Sequence, residues 1–161
     1  MNPQTPRISN LDYLRKLLSG TVTSTDKSPF NFPFPIMKTF GLTLVDVGEG
    51  TASFEMETKT ELHSNPMGTI HGGVLCDIAD AAIGTAHFTT IAEEESFTSI
   101  DLQISFFRPV WNDKLKAVAK PIHRGRTISR YVCDITRADG KLVAQVMSTM
   151  MTLRGETAQG R

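Results

Sequence analysis

This chain of 161 residues is short of several things, and each shortage excludes something. It has two cysteines, Cys76 and Cys133, far apart and in no C-x-x-C arrangement. A disulfide framework is thereby excluded, and free thiols in a reducing cytoplasm are expected. Neither sign of charge is in excess. Lys+Arg and Asp+Glu number 17 each, which argues against a general nucleic-acid binder. No apolar run is long enough to span a bilayer. Residues 1–7 lack a basic stretch followed by an apolar one, so neither a secretory signal nor a membrane partner is expected. His63, His71, His87 and His123 show no H-E-x-x-H or Cys/His ligand spacing, so no metal is expected. A G-x-S-x-G elbow and a phosphate-binding P-loop are both missing.

What is present suits one globular domain with a sizeable core. Hydrophobic residues make up 40% and charged residues 21%. Residues 9–19 predict a short helix, with Leu11, Leu14, Leu17 and Leu18 on one face and Ser9 or Asn10 as its cap. Residues 21–37 are rich in Ser, Thr and Pro, and proline excludes a central strand there. Phe30, Phe32 and Phe34 stand between prolines. They read either as an extended strap over something apolar or as part of a mobile arm. With Phe88 they would line an acyl pocket, or else belong to the core.

A β-helix-β pattern follows. Strands are expected over 40–47, 51–58, 97–107, 114–122, 128–136 and 142–153, with turns at Gly48-Glu49-Gly50 and Asp139-Gly140. In the third strand Ile100, Leu102, Ile104 and Phe106 alternate with Ser99, Asp101, Gln103 and Ser105. Between the second and third strands, residues 74–88 take a helical period. Leu75, Ile78, Ala79, Ala82, Ile83 and Ala86 share one side; Cys76, Asp77, Asp80, Ala81, Gly84 and His87 share the other. The last four strands have no helix between them, so an antiparallel sheet is expected. It would wrap round one long helix whose small residues allow close packing, an α+β arrangement.

The chemistry concentrates where a loop, Asn65-Pro66-Met67-Gly68-Thr69-Ile70-His71-Gly72-Gly73, enters that helix. A glycine pair at a helix start lets a ligand approach bare backbone N–H groups, where the helix dipole favours negative charge. The Asp80 carboxylate follows about two turns later. An electrophile-activating end plus a base is the minimum for acyl transfer.

His71-Gly72-Gly73 with Asp80 nine residues after His71, preceded by Asn65, resembles the hotdog-fold acyl-CoA thioesterases, closest to the PaaI-like branch. Residues 99–109 and Arg124-Gly125-Arg126 are similar to the same family, and the likeness covers residues 40–153. The resemblance implies a hotdog fold and hydrolysis of an acyl-CoA thioester without metal or organic cofactor. It implies that the Gly72 N–H polarises the thioester carbonyl and that Asp80 is general base or nucleophile. Asn65 would orient water or the carbonyl, and His71 would hold the loop near the thioester. Ser99, or Thr98 as the alternative, would hold the attacking water. Gly73 would lie against substrate. Arg124, Gly125 and Arg126 would meet CoA phosphates, as guanidinium forks suit phosphate; a solvated hairpin turn is the other reading of that triplet. Arg108 is a weaker phosphate candidate, and Asp77 fits a solvated or interface position.

Gly72 and Asp80 are eight residues apart, about 12 Å along a helix. One thioester cannot touch both, so the site is expected to combine Gly72 of one subunit with Asp80 of another in an obligate two-fold homodimer. The resemblance adds a dimer of dimers. The chain divides on this reading into an N-terminal extension (1–38), the thioesterase domain (39–154) and a tail (155–161). A non-catalytic acyl-CoA sensor on the same fold is the alternative, since fold does not fix function.

Overall fold

The computed structural model describes residues 8–28, 30 and 32–159. The reading of residues 1–7, and any reading of Pro29, Asn31, Gly160 and Arg161, lies outside them. The elements in chain order are α1 (Asn10–Ser19), α2 (Pro35–Phe40), β1 (Thr43–Gly48), β2 (Thr51–Glu57), α3 (Thr60–His63), α4 (Gly72–Phe88), β3 (Ser96–Phe106), β4 (Lys114–Arg124), β5 (Ile128–Thr136) and β6 (Leu142–Leu153), followed by a short 3-10 turn. The six strands form one sheet in the order β1-β2-β4-β5-β6-β3, with each neighbouring pair antiparallel. Helix α4 packs against β2, β3, β4, β5 and β6. This is the expected α+β hotdog architecture, a sheet wrapped round one long helix.

The core explains why the wrap is close. Ile78, Ala79, Ala82, Ile83 and Ala86 of α4 have no exposed surface, and neither do Ala117 and Ala119 of β4. Alanines on both surfaces bring backbone near backbone, while Ile78 and Ile83 each contribute about 2 kcal/mol by burial. Phe54, Leu115, Tyr131, Ile135, Val146 and Met150 complete the same cluster. Leucine at Ala82 would overpack this layer at a cost of about 1–3 kcal/mol.

Two features of the helix differ from the periodic reading. It begins at Gly72, two residues earlier than expected, because His71 caps it in extended conformation (φ −63°, ψ 136°) with its ring accepting from the Gly73 N–H. Ala81 and His87, assigned above to the polar side, are buried, since the sheet curls further round α4 than a single apolar stripe implies.

The N-terminal segment packs on the domain. Ser9 caps α1 by accepting from the Asp12 N–H at 3.1 Å, and Gly20 ends it at φ 68°. Asn10 performs another task. Its amide donates to the Phe88 and Ile91 carbonyls, 3.2 and 3.0 Å away, at the C-terminal end of α4. The segment after α1 is a strap whose Phe30, Phe32 and Phe34 pack against the core. The expected strand at residue 40 starts instead at Thr43, because Pro35 opens a helical turn that buries Met37 before Gly41 stops it.

One irregularity matters for the site. The β3–β6 register shifts between Ser99 and Asp101, so Ile100 is the extra residue of a bulge. A bulge reverses the alternation of faces. Ile100, expected beside Leu102 and Ile104 on the inner face, is 55% exposed, while Leu102 and Ile104 pack on the core. Ser99, expected on the opposite face, turns towards α4.

Candidate active site

The loop before α4 is built by its own polar groups. The Asn65 Oδ1 accepts from the N–H groups of Met67 (2.9 Å) and Thr69 (3.3 Å), and its Nδ2 donates to the Thr69 hydroxyl. This is an Asx-type turn, with Gly68 supplying the left-handed residue at φ 80°. The His71 N–H donates to the His63 carbonyl at 2.8 Å, tying the loop to α3. Asn65 is thus a turn organiser as well as a wall of the cavity beside it.

At the helix start the donors are divided. The Gly73 N–H is taken by His71 Nδ1 at 2.9 Å, and the Val74 N–H by the His71 carbonyl at 3.0 Å. A neutral His71 ring therefore carries its proton on Nε2. The Gly72 N–H, at the first helical position, has no intrahelical acceptor and lies at the positive end of the helix dipole. Any Cβ at Gly72 would come within 2.7 Å of the Phe106 ring, so this backbone is bare partly because β3 crosses it closely. The cavity here, about 410 Å³, is lined by Asn65, Gly72 and Leu75 on one side and by residues 106–110 on the other. Phe106, Phe107 and Val110 were not singled out as site residues; their place across a strand end from Gly72 depends on long-range pairing.

Asp80 opens onto a different cavity. This one, about 500 Å³, is lined by Asp80, Ala81, Gly84, Thr85 and Phe88 of α4, by Phe97 of β3 and by Phe30, Phe32, Phe34 and Pro35 of the strap. The Ser99 hydroxyl donates to Asp80 Oδ1 at 3.2 Å. The Thr98 hydroxyl donates instead to the Ser99 backbone carbonyl. Although the Asp80 side chain reaches solvent, its apolar surroundings withhold water. Its pKa is raised by that desolvation, with the Ser99 hydrogen bond pulling the other way. Asp77, one turn earlier, is also pushed up, first by desolvation and then by the Asp80 charge.

The two cavities share no lining residue, so within one protomer the structure brings Asn65 to Gly72, and Ser99 to Asp80, but not the two pairs together. Arg124, Gly125 and Arg126 lie in neither. Arg124 pairs with Glu49 at 2.9 Å and borders Gly50, which Thr90 also borders just past the C-terminal end of α4. Gly125 is required by its turn, since a Cβ would meet the Ile128 carbonyl at 2.5 Å.

A buried polar cluster lies behind the second cavity. His87 Nδ1 is 3.2 Å from the Tyr131 hydroxyl and Nε2 is 3.0 Å from the Thr152 hydroxyl. Burial, helped by the nearby Arg124 charge, lowers the His87 pKa to about 4. Among the described residues no group of three or more His, Cys, Asp or Glu could hold a metal ion, and no helix is long and apolar enough to cross a membrane.

Comparison with known proteins bears on the family and the fold. The thioesterase superfamily profile matches residues 67–144, from the loop before α4 into β6. Human acyl-coenzyme A thioesterase 13 is 30% identical over 106 residues, covering 65% of this chain and 74% of that protein. The PaaI protein from the phenylacetic acid degradation operon of E. coli superposes with a TM-score of 0.70 at 25% identity, covering 76% of this chain and 87% of its own. A variant of the phenylacetic acid degradation protein PaaI from Thermus thermophilus gives 0.67 at 27% identity, covering 73% and 98%. With a six-stranded sheet round α4, a glycine-led helix start and an acidic residue two turns in, the chain belongs to the thioesterase superfamily, as a hotdog-fold thioesterase of the PaaI type.

Proposed function

We propose that the protein hydrolyses acyl-CoA thioesters to the free acid and CoA, using two composite sites in a homodimer. The observation that carries this reading is the separation of the two half-sites. Asp80 with Ser99 faces an apolar cavity, and Gly72 with Asn65 faces another, on the same helix about 12 Å apart. A two-fold axis that sets the Gly72 end of one protomer against the Asp80 cavity of its partner completes both sites at once. Pairing of such dimers into tetramers is part of the proposal.

In the composite site the Gly72 N–H donates to the thioester carbonyl oxygen, and the helix N-terminus stabilises the oxyanion as it forms. Ser99 holds a water beside Asp80. Asp80 takes a proton from that water as the water oxygen bonds to the carbonyl carbon. Collapse of the tetrahedral intermediate breaks the C–S bond, and the proton passes from Asp80 to the leaving thiolate. In the other route Asp80 itself attacks and a mixed anhydride is then hydrolysed. Label found in the Asp80 carboxylate after a single turnover in heavy-oxygen water would establish the anhydride, since it enters only when water attacks the aspartyl carbonyl. His71 acts through the loop, holding the Gly73 N–H so that Gly72 leads. Arg124 and Arg126, flanking the Gly125 turn, are assigned to CoA phosphates. The reaction needs neither metal nor organic cofactor, because CoA is part of the substrate. The free thiols Cys76 and Cys133 fit a reducing cytoplasm.

The test is thiol release over a panel of aryl, short, medium and long acyl-CoAs, with Asp80→Ala beside the native protein. The expected loss is at least about 100-fold in kcat with folding retained. Full turnover in the variant would overturn the role given to Asp80. Tight acyl-CoA binding without turnover in the native protein would replace the enzyme by a sensor.

A further inference from the structure

The cavity at Asp80 has a direction. Asp80, Ala81, Gly84, Thr85 and Phe88 lie along one face of α4 and line it together, a run of about 12 Å from carboxylate to ring. Between those ends the helix offers only small side chains. A Cβ at Gly84 would make an ordinary 3.6 Å contact with Phe97, so packing tolerates alanine there; glycine leaves the groove open. The far end is shut by aromatic rings. Phe30 stands edge-on to Phe88 with centroids 4.8 Å apart and leans on Phe97 at 5.9 Å. Phe32 lies 6.3 Å from Phe88 and meets Phe34 edge-on at 5.3 Å.

We propose that Phe30, Phe32 and Phe34 are the end wall of the acyl pocket and set an upper limit on acyl length, so that the protein selects compact acyl groups and rejects long straight chains. The chemistry rests on the thioesterase reading above; the geometry of the wall does not. Rings that served only as core would fill the space they border, yet about 500 Å³ remains between them and the single carboxylate at the mouth. That volume lies in the usual range for small-molecule sites, which are mostly apolar with few polar groups. The wall is anchored from both directions. Upstream, Asn10 holds α1 to the Phe88 carbonyl at the end of α4 and the Ile91 carbonyl just after it, and Lys16 pairs with Asp26 at 2.6 Å. Downstream, α2 buries Met37 in the core. All three rings precede residues 67–144, the part that the superfamily profile matches.

The experiment measures kcat/KM for straight-chain acyl-CoAs from acetyl to palmitoyl in the native protein, Phe30→Ala, Phe34→Ala and Gly84→Leu, each checked for folding by circular dichroism. Removing a ring should raise the ratio of long-chain to short-chain kcat/KM by about tenfold or more, since each methylene admitted to an apolar pocket carries a factor of about ten upwards. Gly84→Leu blocks the groove from the opposite wall without touching the strap, and should move the ratio the other way. An unchanged chain-length profile in all three variants would overturn the wall. Dissociation constants for non-hydrolysable acyl-CoA thioethers are measured on the same proteins. A chain-length preference that shifts in binding, with no turnover of any thioester, supports the wall and removes the enzyme. Binding indifferent to chain length in every protein overturns the wall whatever the turnover.

Discussion

Ser99 and Asp80 are bound to one another energetically as well as spatially. The Ser99 hydroxyl favours the ionised form of Asp80 against desolvation, which favours the neutral form. Ser99→Ala removes the opposing influence, so the Asp80 pKa should climb further. Because the role proposed for Asp80 needs the ionised form, the acid limb of the kcat/KM profile should move to higher pH, with about a tenfold loss at its plateau. A profile that drops without moving would disconnect the two residues. Gly72 gives a second test. Proline is well suited to the first helical position, and His71 already holds the extended backbone that a following proline requires. Phe106 can swing aside because it is 56% exposed. Gly72→Pro should therefore keep α4 and its thermal stability while deleting the proposed carbonyl donor, at a cost of about 100-fold or more in kcat. His87 supplies a stability prediction. Its pKa is about 4 in the folded protein against an ordinary 6.5. Between those values the unfolded chain binds the extra proton, so stability is full above about pH 6.5 and falls on acidification towards pH 4. The slope reaches about 1.4 kcal/mol per pH unit. Urea titrations at several pH values should show this slope, and His87→Gln should flatten it.

The bulge at Ile100 is the element on which the site turns. Deleting Ile100 places Ser99 two positions before Leu102, so regular alternation keeps both on the inner face and the bond from Ser99 to Asp80 should survive. Thiol release should then stay closer to native than in Ser99→Ala. With a residue inserted between Ile100 and Asp101, which reverses the faces, it should fall at least as far as in Ser99→Ala. The same bulge shows where inference from sequence stopped. The six strands, the long helix and the loop-to-helix glycine start are written in local patterns: alternation, a 3.6-residue period, turn residues at the right offsets. The polar neighbour of Asp80 is not, because Ile100, Leu102 and Ile104 have the composition of one continuous face and the extra residue is visible only against β6. His87 was likewise placed on the polar side of its helix, since a helical period records one stripe and cannot say how far a sheet will curl. The helical turn at Pro35 was hidden among prolines that argue against strands without arguing for anything else. Asn10, by contrast, was noticed as a cap candidate and serves as a clamp. Asn10→Ala strands two carbonyls at the end of α4 and should cost about 1–3 kcal/mol in chemical denaturation.

At the scale of the whole molecule, composite sites can be tested by complementation. Asp80→Ala and Gly72→Pro should each be inactive alone. A mixed dimer of the two holds one site with an intact Gly72 and an intact Asp80, so random co-assembly should return about a quarter of native activity. No recovery, with mixed dimers demonstrated, would confine each site to one subunit. The strand order has a further consequence, for biosynthesis. β3 finds its partner not in the next strand but in β6, the last of the sheet. At about 5–20 residues per second, several seconds separate the emergence of Phe106 from that of Leu153. For that interval a nascent chain carries an unpaired, eleven-residue strand, and at its start the apolar side of α4 lacks three of its five covering strands. Chains halted on the ribosome at residue 136 should be cleaved readily by protease and held by chaperones. Those released past residue 153 should resist both.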